Sequence, residues 1–325
     1  MPLQDDPEFD LDITIDIQPL VEELRGLREV ALYTPLHTGA EFLIKLNRVT
    51  PHARGRPLPR GFARQIPTRR AGGQYYTVVL ERAIQTKRNS WGQVWVARVS
   101  DPADSDSEQN DSDLPVLGHI VVKIVQPSLL PHPNPDSYHQ WEYIPPKNVA
   151  CTEDWMYGQL QALQGREVPC YYGMQTVVTP CGESAWLLAM EYVEGETLSR
   201  WLDSCHDDPG NWRRPNDLTP EVFDKFKQLL TSGIEGVMAI HAQSVFHGDV
   251  RRPNLIIAKA FPVGPRVVFI DLALGREIDD FPSAVDGEIM DVCDQFLCCP
   301  AHATPITAWA EKGPLPNGWV FGTGY

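Results

Sequence analysis

The stretch "HGDVRRPNLIIAKAFPVGPRVVFIDLA", residues 247 to 273, sets polar groups at the ends of apolar runs. Asp249 and Asn254 come just before "LII", and Asp271 ends "VVFI". Carboxylate and carboxamide oxygens are hard ligands for a divalent cation, and a carboxylate also takes protons. Upstream, Lys123 interrupts the β-branched run "HIVVKIV", and Glu153 with Asp154 follows in a helical stretch. An ammonium fixed in such a run can neutralise a bound anion. Taken singly, each residue has a plainer reading. Lys123 fits an edge strand, where lysine blocks pairing with other chains. Glu153 fits the first turn of a helix, and Asp271 fits a turn at a strand end. Asp249 and Asn254 resist this, because so polar a loop between a helix and an apolar strand serves no packing purpose.

The elements that must position these groups follow from the pattern. "YYTVVLERAIQ" and "GQVWVARVS" read as a β-hairpin, and "HIVVKIV" as a further strand. "FLIKLNRVT" is a candidate strand within an N-terminal extension, residues 1 to 73, that is partly disordered and carries an arginine cluster. The acidic run at 101–113 lacks any apolar anchor in its "DPADSDSEQNDSD" core and is expected to be a disordered surface loop. The proline-rich segment ending "EYIPPKN" reads as a loop, with a helix opening at Thr152 as N-cap and ending at Gly165. "WLLAMEYVEGETLSRWL" gives a buried strand, a turn and a short helix, and residues 221–243 a long amphipathic helix. Strands early and helices late define an α+β chain.

Composition narrows the function. At 325 residues, 42% hydrophobic and 22% charged, the chain can bury a proper core. A formal net charge of −15 argues against a nucleic-acid or anionic-membrane binder, both of which need a basic face. The acidic start lacks a signal-peptide layout, so an intracellular, cytoplasmic protein is expected. The seven cysteines are irregularly spaced; "CDQFLCC" with nearby His302 reads as reduced thiols at a helix end rather than a metal site.

The order and spacing together resemble the protein-kinase-like superfamily over roughly residues 74–295, in the manner of reduced kinase-like proteins common in fungi. "HGDVRRPN" is similar to the catalytic-loop pattern H-R-D-L-x-x-x-N, "FIDLA" to D-F-G, and "VVKIV" to V-A-I-K. The resemblance implies a two-lobed fold: an antiparallel-sheet N-lobe and hinge at 74–193, and a shortened, mostly helical C-lobe and tail at 194–325. It implies ATP and Mg2+ as cofactors and γ-phosphoryl transfer to a hydroxyl. Asp249 would orient and deprotonate the acceptor, Arg251 would reach the transferred phosphate, and Asn254 and Asp271 would hold the metal. Lys123, held by Glu153, would neutralise the α- and β-phosphates. Gly92 and Val94 would cover the nucleotide, Met190 would guard the back of its pocket, and Glu191 and Val193 would offer backbone groups to adenine. His247 would bond the backbone around Asp271.

Four departures qualify this. Lys87 and Asn89 stand where the phosphate-covering loop has glycines, "DLA" puts Ala273 where D-F-G has glycine, and Gly248 stands where many regulated kinases have arginine. The stretch after Asp271 lacks A-P-E and has room for about one long helix, "SAVDGEIMDVCDQFLCC". Protein serine/threonine is the first acceptor to expect. A small-molecule kinase of the aminoglycoside/choline type and a catalytically weak scaffold are the alternatives.

Overall fold

A computed structural model describes residues 18–47, 75–87, 90–100, 116–132, 144–204, 220–259, 266–279, 284–297 and 309. The acidic run 101–113, the arginine cluster, Cys298, Cys299 and His302 lie outside the described residues.

The chain is α+β, built around an antiparallel sheet with several helices. Its strands are β1 (Glu41–Lys45), β2 (Tyr75–Gln85), β3 (Gln93–Ser100), β4 (Val116–Val125), β5 (Tyr171–Val178) and β6 (Ser184–Glu191), in the order β1-β2-β3-β4-β6-β5. Period-2 alternation sets the register: β1 buries Phe42 and Ile44 and exposes the residues between them. On β2, Tyr76, Val78 and Leu80 face the same interior. The hairpin β2–β3 carries two bulges, between Leu80 and Arg82 and between Ala83 and Gln85, which bend it.

This sheet curls until its two edge strands meet. Asn47 N–H donates to Tyr172 O at 2.7 Å. The Gln175 side chain accepts from Lys45 N–H at 3.0 Å and donates to Lys45 O at 2.9 Å. One amide side chain thereby does the bonding of a strand, and the nearly closed barrel surrounds Ile44, Leu80, Ile120, Ile124 and Leu187. "FLIKL" is thus an integral strand of the sheet. The residues before it are structured too: α1 (Gln18–Tyr33) buries Val21, Leu24 and Ala31. Its Arg28 donates to the carbonyls of Ser128 (2.6 Å) and Leu130, just past β4.

The helix expected from Thr152 begins earlier. Here α2 runs Pro146–Gln159, with proline at its first position, where the missing N–H is no loss. Thr152 is therefore inside the helix, and the proline pair that reads as a loop is its start. Beyond β6 come β7 (Gly195–Thr197), α3 (Leu198–Ser204), α4 (Pro220–His241), β8 (Val245–Phe246), β9 (Leu255–Ala258), β10 (Arg266–Phe269), β11 (Arg276–Glu277) and α5 (Ala284–Leu297). A small antiparallel sheet, β10-β9-β7, backs onto α4, and β8 pairs with β11. A second core fills this part, with Trp201, Phe226 and Phe296 among its large members. Gly236 of α4 lies so close to the Phe269 ring that an added Cβ would collide with it.

Gln175→Ala removes both bonds across the barrel seam. We expect a loss of about 1–2 kcal/mol, taking each net hydrogen bond as roughly 1 kcal/mol, together with faster amide exchange at Lys45. An unchanged urea midpoint and unchanged exchange at Lys45 would show that the seam closes without Gln175.

Candidate functional site

The geometry begins at Lys123. It sits in β4, between β3 and β6, so the edge-strand reading does not hold. A buried ammonium must be paired, and two carboxylates do this. Lys123 Nζ lies 2.6 Å from Glu153 Oε2 on α2 and 2.5 Å from Asp271 Oδ1 after β10. Asp154, the neighbouring candidate for this pairing, instead accepts from Tyr171 O–H at 2.7 Å. Burial would lower the Lys123 pKa, but the charges and hydrogen bonds of Asp271 and Glu153 raise it overall. On Asp271 burial acts upward, and Lys123 reverses that, leaving its carboxyl below the ordinary range. For Glu153, burial prevails over Lys123 and the pKa is raised.

Asp271 has φ 64°, a left-handed backbone that Asp adopts more readily than most residues. In "DLA" the left-handed position is thus the aspartate itself, and Ala273 needs none of glycine's freedom. His247 fixes the same turn. Its Nδ1 accepts from Asp249 N–H at 3.2 Å, so Nε2 carries the proton and donates to Ile270 O at 3.0 Å. Asn254 is nearly buried and uses Nδ2 twice, donating to Asp249 O (3.0 Å) and Asp249 Oδ2 (2.8 Å). That fixes the orientation of the amide, with Nδ2 rather than Oδ1 turned to Asp249. Arg251, 52% exposed, pairs with Asp249 Oδ2 at 2.9 Å. Burial raises the Asp249 pKa against the charge of Arg251, and the charge of Asp271 adds to the rise.

These groups border a cleft of about 560 Å³, within the usual size of a small-molecule site. Lys123, Glu153, Asn254, Asp271 and Arg251 line it, as do Val94, Met190, Glu191 and Val193. Asp249 stands at its margin, bonded to the lining residues Asn254 and Arg251. Gly92 is not in the lining but packs on the Lys123 stem, where a Cβ would press on it. The Met190 thioether accepts from Tyr157 O–H at 3.6 Å. Glu191 is committed twice to Cys170: its N–H donates to Cys170 O (2.8 Å) and its carboxyl accepts from Cys170 N–H (2.9 Å). Burial pushes that carboxyl up to about 7. Any backbone contact from Glu191 to a ligand must therefore use its carbonyl.

One residue escapes a reading by motif. Glu288 of α5 is buried and accepts from His247 N–H (2.9 Å), Gly248 N–H (2.7 Å) and the His241 ring (2.8 Å). It clamps the backbone of the polar loop from behind. Burial would raise its pKa, yet the bond from His241 and the two backbone amides lower it. The available signal was a carboxylate on the apolar stripe of α5, in line with Val292 and Phe296. Gly248 has φ 79°, and the Leu274 carbonyl occupies the place of a Cβ, so the position requires glycine.

No protein-family model matches the chain. Among curated proteins, it is similar to the eukaryotic translation initiation factor 2-alpha kinase PK4 of Plasmodium berghei (strain Anka). The two are 34% identical over 106 residues, 31% of this chain and 4% of that protein. The chain therefore spans a small fraction of the length of the curated relative it matches. This weak and partial likeness suggests a protein-kinase-like relation. No helix among the described residues is long and apolar enough to cross a membrane.

Lys123→Met leaves Glu153 and Asp271 facing each other without a cation. We expect a loss of about 3–5 kcal/mol near neutral pH, the usual effect of breaking a buried pair. Without Lys123 both carboxyls have raised pKa values, so their protonation relieves the repulsion and the deficit relative to wild type shrinks as pH falls. In the wild type the sign is opposite. Asp271, lowered by Lys123, contributes stability above the unfolded carboxyl range, and this is lost as pH falls through its folded value. Denaturant titrations of both proteins over an acid series check this, and a deficit independent of pH would contradict it. Glu288→Ala strands three donors and should cost about 3 kcal/mol or more, at 1–3 kcal/mol for each buried unsatisfied group. A melting temperature within a degree of wild type would rule out the clamp.

Proposed function

We propose that the chain is a protein-kinase-like phosphotransferase with two lobes, an N-lobe and hinge at 74–193 and a C-lobe at 194–325, and an ATP site in the cleft between them. What supports the reading is convergence. Lys123, Asn254 and Asp271 come from separate elements and line one cleft, and Asp249 is bonded to Asn254 at its margin.

The residues suit magnesium. Asp271 and the fixed Asn254 offer hard oxygens. Among the described residues no group of three or more His, Cys, Asp or Glu is placed to hold a metal ion. Magnesium takes few ligands from protein and completes its shell with phosphates and water. When bound, magnesium would neutralise charge on the phosphates. Lys123, already protonated and held on two sides, supplies a fixed positive charge for the same purpose without reorganising. Asp249, held by Asn254 and Arg251, orients the acceptor hydroxyl and takes its proton as the oxygen bonds to the γ-phosphorus and ADP leaves. Arg251 offers the outgoing phosphoryl oxygens a cation.

The acceptor we favour is a protein serine or threonine, in keeping with the kinase relation. One observation supports a small-molecule acceptor as the second reading. Gly248 cannot carry the arginine through which a phosphorylated activation segment would be held.

ATP with magnesium at 100 times Kd should stabilise the full chain by about 2.7 kcal/mol, seen as a raised melting temperature. Absence of any shift would reject the nucleotide site. Asp249→Asn should keep that shift while turnover of ATP falls to background. Because the base must be ionised, kcat/KM should fall as pH drops through an Asp249 pKa lying above the ordinary aspartate value. Equal turnover in Asp249→Asn and wild type would leave a nucleotide-binding scaffold instead.

A further inference from the structure

Among the described residues, three cations line the cleft: Lys87, Lys123 and Arg251. Two are already engaged. Lys123 is shared between Glu153 and Asp271, and its side chain is 6% exposed. Arg251 is paired with Asp249. Lys87 differs. It is exposed, and among the described residues it has no ion pair or hydrogen bond.

Its position gives that cation a use. Lys87 lies just beyond the end of β2, in the turn that leads to β3, and Ser90 and Trp91 of the same turn also line the cleft. Gln85 Nε2 reaches Gly92 O at 3.4 Å across the base of the turn, and the next strand starts by placing Val94 opposite Lys123. Lys87, Ser90 and Trp91 thus border the same cleft as Lys123. A ligand carrying a pyrophosphate unit there brings several negative charges next to Glu153 and Asp271. The other two cations are shared with carboxylates, so they offset only part of that charge. Where this turn has glycines in kinase-like chains, backbone N–H groups come close to the phosphates; side chains at 87 and 89 hinder that approach, but an ammonium on a flexible stem reaches phosphate from further away.

Resting on the phosphotransferase reading, we propose that Lys87 is a phosphate-binding residue, a side-chain cation that compensates for the close backbone approach lost with the glycines and gives the cleft its preference for nucleoside di- and triphosphates over the bare nucleoside. Because Lys87 is exposed and unpaired among the described residues, its replacement does not threaten the fold.

The test measures affinity of the full chain for ATP, ADP and adenosine, each with magnesium, by isothermal titration calorimetry. Wild type, Lys87→Ala and Lys87→Arg are compared. Lys87→Ala should weaken ATP about tenfold, in the range between an exposed ion pair and a charge-assisted hydrogen bond, and leave adenosine within about twofold. Lys87→Arg should retain most of the ATP affinity, and the salt dependence of ATP binding should be shallower in Lys87→Ala. ATP affinity unchanged in Lys87→Ala, or equally weakened for adenosine, overturns the role of Lys87 while the nucleotide site stands. Wild type that binds none of the three ligands overturns the nucleotide site and Lys87's role with it.

Discussion

A single buried ammonium organises this molecule. Lys123 Nζ within 2.6 Å of Glu153 and 2.5 Å of Asp271 joins the central barrel strand β4, the helix α2 and the turn after β10. An unpaired charge at that depth would cost several kcal/mol, so the three elements must arrive together. The consequences spread outward from it. Asp271 adopts a left-handed backbone in the turn that reaches the lysine, His247 bonds the carbonyl just before it, and Gly92 of the neighbouring turn leaves room for the lysine stem. The same charge also faces the cleft.

Behind this first arrangement lies a second that is entirely about backbone. The loop from His247 to Asn254 has no regular ladder of its own, so its amides need other partners. Glu288 takes two of them, the Asp249 amide goes to His247 Nδ1, and Asn254 returns a bond to the Asp249 carbonyl. Asp249 is left at the cleft margin with a fixed main chain. Such support from a neighbouring helix is what holds a reactive side chain in a usable position.

Legibility in the sequence followed range. Short-range patterns were readable: the β2–β3 hairpin, the amphipathic α4 and the polar loop with Asp249 and Asn254 all depend on neighbours a few residues apart. Lys123 could be singled out because a cation in a β-branched run is anomalous, but its pairing with Glu153 rather than Asp154 is decided by which face α2 turns to β4. The start of α2 was missed because prolines signal a loop unless they fall at the first helical position. Gln175 and Glu288 were invisible as functional groups for one reason. Their partners lie 130 and about 40 residues away, and nothing in local composition marks a side chain that bonds distant backbone.

The account reduces to the claim that a divalent ion and a triphosphate lie between Lys123, Asn254 and Asp271. A crystal structure of the full chain with a non-hydrolysable ATP analogue and manganese, located by its anomalous signal, tests that directly. The account predicts manganese bound to carboxylate oxygen of Asp271 and amide oxygen of Asn254, with the phosphates beside Lys123. Manganese or nucleotide bound elsewhere, with the Lys123 cluster unchanged, would contradict it.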